Sequence, residues 1–139
     1  MPEQPTAAGH SAPVTEAEGN PRKGRAGVRR VWNALLVSME GLAAACRHEQ
    51  AFRLEVLLAI VLVPAALLLQ ASGTGKAVMI ASVLLVLIVE LVNSAVEAAV
   101  DRISLERHAL AKRAKDIGSA AVFVSLVNVP VVWLLVLFG

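Results

Sequence analysis

The chain has 139 residues, of which 57% are hydrophobic and only 17% charged, a composition too apolar for a soluble domain of this length. A net charge of +2 is too small to argue for nucleic acid, and a single cysteine, Cys46, excludes an intrachain disulfide and a cysteine-built metal site. The composition points to one all-α membrane domain.

Residues 1–27 hold four of the six prolines and four of the nine glycines among Ser, Thr, Glu and Ala. Such a segment cannot bury enough apolar surface to offset chain entropy and reads as a disordered tail. No continuous apolar run occurs before about Val56, so no secretory signal is expected and the N-terminus is expected to stay in the cytoplasm. From residue 28 onward the chain reads as the membrane domain, 28–139.

Over about residues 28–47, Val28, Val31, Trp32, Leu35, Leu36, Met39, Leu42, Ala43 and Cys46 recur at steps of three and four, with Arg29, Arg30, Asn33, Glu40 and Arg47 at the margins. The pattern predicts an amphipathic helix lying along the membrane surface, or packed on the protein's own core, or both. A first span is expected over about 49–70. Its apolar run from Val56 to Leu69, with Pro64 as a kink, reaches bilayer length once the flank with Glu49, Phe52, Arg53 and Glu55 is added. Gln70 to Lys76 reads as a turn. A second span follows over about 77–100, then a charged connector from Asp101 to Asp116 that is helical at both ends. The third span covers about 117–138, with Pro130 inside it.

Of the lysines and arginines, seven precede the first apolar run, one (Lys76) lies between the first and second spans, five between the second and third, and none after. The positive-inside rule then puts the N-terminal region and the connector in the cytoplasm, and Gly139 on the outer side.

The second span carries the chemistry. Glu90, Asn93, Ser94, Glu97 and Asp101 are spaced three, four, seven and eleven residues from Glu90, so all five share one helix face among Leu, Val and Ala. A charge at the centre of a bilayer helix costs about 3 kcal/mol even on lenient scales, so these acids are expected to face other protein and to be used. The bland alternative is a polar helix–helix contact in an oligomer. Glu90, the deepest, suits a general base; Glu49 and Glu97 have the oxygen chemistry and depth to hold Mg²⁺. Arg107, Lys112, Arg113 and Lys115 with Asp116 form a basic margin able to hold a polyphosphate, or serve only as the topology signal. Likewise Glu49 with Arg53 can be a simple i,i+4 pair, and Asp101 with Arg102 a helix cap.

Two motifs mislead. Gly73-Thr74-Gly75-Lys76 ends like a phosphate-binding loop, but Gln70 and Ala77 stand where that motif needs Gly and Ser or Thr. His48-Glu49-Gln50-Ala51-Phe52 begins like a zinc-protease helix, but Phe52 replaces the second His.

Three blocks together are similar to a known family. Glu49-Gln50-Ala51-Phe52-Arg53-Leu54-Glu55, then Glu90-Leu91-Val92-Asn93-Ser94-Ala95-Val96-Glu97 with Val100-Asp101-Arg102, then Arg113-Ala114-Lys115-Asp116-Ile117-Gly118-Ser119-Ala120-Ala121 resemble the prokaryotic diacylglycerol kinases. The resemblance runs from about Arg30 to Phe138. It implies a homotrimer with an N-terminal surface helix and three spans per chain, whose active sites are shared between chains. It also implies ATP and diacylglycerol as substrates, Mg²⁺ as the metal, and phosphatidic acid as product at the bacterial inner membrane. By that pattern Glu90 would be the catalytic base, and Glu49 and Glu97 would hold the Mg²⁺ of MgATP. Asn93, Lys115 and Asp116 would complete the active site, with Lys115 and Asp116 also at the nucleotide. Arg30, Glu106 and His108 would lie at the nucleotide, and Glu55 and Ser119 nearer the lipid. Val37 and Met39 stand where better-known members often carry an aromatic residue. The nearest rival, undecaprenol kinase, shares fold and acids, and Gly118-Ser119-Ala120-Ala121 looks more like the diacylglycerol branch. A rival of another class is an oligomeric channel or transporter subunit that relays ions through Glu90 and Glu97.

Overall fold

A computed structural model describes residues 21–103 and 109–139. Among the described residues the chain is all α-helix, in four elements: α1 (Pro21–His48), α2 (Gln50–Leu68), α3 (Gly73–Ile103) and α4 (Ala109–Phe138). The last three are each long and apolar enough to cross a bilayer. Pro64 and Pro130 lie inside α2 and α4 without ending them, as membrane helices permit when neighbours satisfy the freed carbonyls.

A boundary between two compact units falls inside α1, between Val37 and Ser38. In the first unit the apolar residues Val28, Val31, Trp32 and Leu35 are exposed, and in the second unit Met39 and Leu42 are exposed. From Gly27 to His48 only Ala45 is buried. An amphipathic helix with a bare apolar stripe suits the lipid–water boundary, where acyl chains cover it.

The chain turns from α1 into α2 at one residue. Glu49 takes an extended conformation (φ −104°, ψ 114°), and its N–H donates to the Ala45 carbonyl at 2.9 Å, closing the last turn of α1. Its side chain makes no capping bond to α2, which leaves the carboxylate for other partners.

At the other end of α2 the structure departs from the expected turn. The helix α3 begins at Gly73 rather than near Ala77, because Ser72 Oγ accepts the Gly75 N–H at 3.0 Å. That bond satisfies one of the amide groups a helix start leaves open. The phosphate-loop look-alike is therefore the first turn of a helix. Lys76 Nζ donates to the Leu67 carbonyl at 2.8 Å, putting a cation on the open carbonyl end of α2. Ser72→Ala is expected to cost about 1 kcal/mol, seen as a lower thermal unfolding midpoint in detergent micelles with helix content unchanged.

Of the three spanning helices, α3 is central and packs against both α2 and α4. Ala59 of α2, Val83 and Val86 of α3 and Val129 of α4 form the core, flanked by Leu62, Val63, Leu87 and Trp133. Small residues set the approach. A Cβ built on Gly75 would stand 2.8 Å from Val136, and one on Gly118 would run into Asn93. These two contacts lie at opposite ends of α3 and α4, so the helices run antiparallel and stay close over most of their length. Ser82 and Ser125, buried at the interface, donate to the Met79 and Val122 carbonyls of their own helices, both at 2.7 Å. Their hydroxyls thus need nothing from the lipid. Outward, Leu57, Ile60, Phe123 and Leu135 are exposed, an apolar surface of the kind acyl chains cover.

Candidate active site

The acid face of α3 turns inward. Glu90 is only 4% exposed and Asn93 9%, with Ser94 and Glu97 half-buried. Asp101, nearer the helix end, is exposed. At 1.5 Å rise per residue, Glu90 and Glu97 stand about 10 Å apart along the helix axis, one deep and one near the end.

Other elements bring their acids to this face. The charges of Glu97 and Glu49 both bear on Glu90, and that of Glu90 bears on Glu55. Glu55 is buried on α2, and its Oε2 has no hydrogen-bond partner. Four carboxylates from the α1–α2 elbow, α2 and α3 therefore form one electrostatically connected group around Glu90. Glu49 also lines a groove of about 720 Å³ between the second half of α1 and α3, together with Gly41, Ala45, His48, Ser94 and Ala98.

The amide is held between two helices. Asn93 Nδ2 donates to Glu97 Oε1 at 3.2 Å, while Asn93 Oδ1 is buried against Gly118 without a partner. At the exposed end Lys115 Nζ pairs with Asp101 Oδ1 at 2.5 Å and lies within electrostatic reach of Glu97. This is the one ion pair among the described residues, so the Glu49–Arg53 pairing does not form. Asp101 is used across helices rather than as a helix cap beside Arg102.

The structure thus gathers Glu49, Glu55, Glu90, Asn93 and Glu97, with Lys115 at the margin. Asp116 and Ser119 are exposed on α4 of the single chain. Arg30 is exposed on α1, in the unit that ends at Val37. Glu106 and His108 lie outside the described residues. Two participants were missed in the sequence, Asp101 as the partner of Lys115 and Gly118 as the seat of Asn93. Gly118 is the one glycine of α4, and a lone glycine in an apolar helix signals close approach of a neighbour.

Chemically, a carboxylate in a dry setting can take a proton from a substrate hydroxyl, and carboxylates toward the wetter end can hold a hard cation. Comparison with known proteins narrows that chemistry. Residues 36–137 match the family described as prokaryotic diacylglycerol kinase.

The chain belongs to that family.

Relatives agree with the match. The chain is 55% identical over 120 residues to the diacylglycerol kinase of Pseudomonas aeruginosa, covering 86% of this chain and 98% of the relative. It is 42% identical over 113 residues to that of Escherichia coli K12, covering 81% and 93%. With the Helicobacter pylori 26695 enzyme it shares 38% over 107 residues, covering 77% and 84%. The family match includes the whole acid group, Glu49 to Glu97, and Lys115 to Ser119, and begins after Arg30.

Proposed function

We propose that this chain is a diacylglycerol kinase that transfers the γ-phosphoryl group of ATP to the free hydroxyl of diacylglycerol, making phosphatidic acid in the bacterial inner membrane. The observation that carries the reading is buried Glu90 on the α3 face it shares with Asn93 and Glu97, with Glu49 and Glu55 near enough for charge to be felt, in a chain of this family.

Phosphoryl transfer asks a protein mainly for positioning and charge neutralisation, so no glycine-rich loop is needed. Glu90 takes the proton of the lipid hydroxyl as its oxygen bonds to the γ-phosphorus. The bond between that phosphorus and the β–γ bridging oxygen breaks, ADP leaves, and the proton on Glu90 passes to water. Glu55 and Ser119 border the lipid. Arg30, Glu106, His108, Lys115 and Asp116 serve the nucleotide, Lys115 bringing a positive charge to the phosphate end.

For the metal, two carboxylates are the usual protein share of a Mg²⁺ ion that keeps waters and phosphate oxygens as its other ligands. Among the described residues no three His, Cys, Asp or Glu side chains converge as a ready cage. Glu49, whose carboxylate makes no capping bond, and Glu97 would supply the two oxygen donors for an ion that arrives with ATP. When bound, it would neutralise charge on the transferring phosphoryl group.

The homotrimer belongs to this reading. Asp116 and Ser119 are exposed on a single chain, and a neighbouring chain would enclose them. In this reading the N-terminus and the segment between the second and third spans lie in the cytoplasm, where ATP is, and Gly139 lies outside, which the count of lysines and arginines supports. In this reading the acyl-chained alcohol enters sideways from the bilayer beside Met39 and Leu42 of α1, both exposed.

The test uses purified protein in mixed micelles with MgATP and either diacylglycerol or undecaprenol. Phosphatidic acid from diacylglycerol, at least about tenfold faster than undecaprenyl phosphate forms, is the expected result. The reverse ranking would reassign the lipid, and no product from either, with ion flux in proteoliposomes, would replace the kinase reading with that of an ion relay.

A further inference from the structure

On α4, Gly118 is where the helix comes closest to the acid face: a Cβ there would overlap Asn93 Oδ1 and crowd Asn93 Cγ at 3.3 Å. The obstacle is the tip of a side chain and not backbone, so an added methyl group would displace the carboxamide while the helices keep their places. Asn93 is 9% exposed, so its carboxamide is held inside the helix pair. Its Nδ2 holds Glu97 Oε1 at 3.2 Å, so moving the carboxamide releases Glu97.

We propose that Gly118 is a positioning residue: its missing side chain seats the Asn93 carboxamide against α4, and that seat aims Glu97 at the incoming metal–nucleotide. This rests on the reading of Glu97 as a carboxylate for MgATP. Gly118 touches no substrate and acts only through Asn93. The seat is built from two helices, so the orientation of Glu97 depends on the spacing of α3 and α4 as well as on its own rotamer. The carboxamide, flanked by a carboxylate on one side and a bare glycine on the other, has one arrangement that offers its N–H₂ to Glu97. The alternative orientation would set oxygen against oxygen.

The experiment compares wild type, Gly118→Ala, Asn93→Ala and the double variant, full-length in micelles, by equilibrium MgATP binding and by KM for each substrate. Gly118→Ala is expected to weaken MgATP binding about tenfold, the scale of one hydrogen bond to a charged group. KM for diacylglycerol should stay within about twofold, since the lipid-side acids are untouched. With the carboxamide gone in Asn93→Ala, the space for a Cβ is open, so adding Gly118→Ala should change MgATP affinity by less than about twofold. Unchanged binding in Gly118→Ala, or independent and additive losses in the double variant, would overturn the proposal. If Gly118→Ala fails to fold, the double variant should regain the fold, and its failure to do so would assign Gly118 to helix packing alone. Wild-type protein that binds no MgATP would overturn the kinase reading itself, which separates the two failures.

Discussion

Glu90→Gln is expected to lower kcat for phosphatidic acid formation by about a thousandfold, within the range that a positioned general base contributes. The amide has the shape of the carboxylate and fits a site that leaves Glu90 4% exposed, so packing is retained. It cannot accept the hydroxyl proton. One of four neighbouring acids also loses its charge, which removes repulsion with Glu49, Glu55 and Glu97. The thermal midpoint of the variant should therefore be no lower than that of wild type. Steady-state assays in mixed micelles with a parallel melt check both parts. Undiminished turnover would remove Glu90 as base, and a collapse of the fold would recast it as structural.

Glu97→Gln should act on the other substrate. The Gln retains an Oε1 able to accept the Asn93 Nδ2 hydrogen bond that now runs at 3.2 Å, so the local geometry is preserved and only the charge is removed. If Glu97 helps to hold Mg²⁺ on ATP, kcat/KM for MgATP should fall about a hundredfold, with KM for diacylglycerol nearly unchanged. Glu49→Gln should resemble it, and the double variant should fall short of the sum of the two, as expected for ligands of one ion. Calorimetric titration with MgATP reads the effect without turnover. Equal losses for both substrates would place Glu97 in the general scaffold instead.

Much of the site was legible in one dimension because a helix has a fixed period. Once Glu90, Asn93, Ser94, Glu97 and Asp101 were seen at steps of three and four inside an apolar run, their common face followed without further information. Burial of Glu90 and Asn93 followed too, since a bilayer penalises unused charge, whereas Asp101, nearer the helix end, is exposed. The start of α3 is also written locally, in Ser72, whose hydroxyl lies three residues before Gly75 and accepts its N–H.

By itself the sequence determined the three apolar spans, the amphipathic pattern of α1 and the acid face of α3. All of these are repeats along one chain, governed by period, length and hydropathy. Only the tertiary structure decided which residues of other helices meet that face. Lys115 pairs with Asp101 and not with its neighbour Asp116, and Asn93 seats on Gly118. The physical reason is that register between antiparallel helices is set by steric fit, Gly75 against Val136 and Gly118 against Asn93. That fit is a property of two surfaces together, and neither helix carries it alone.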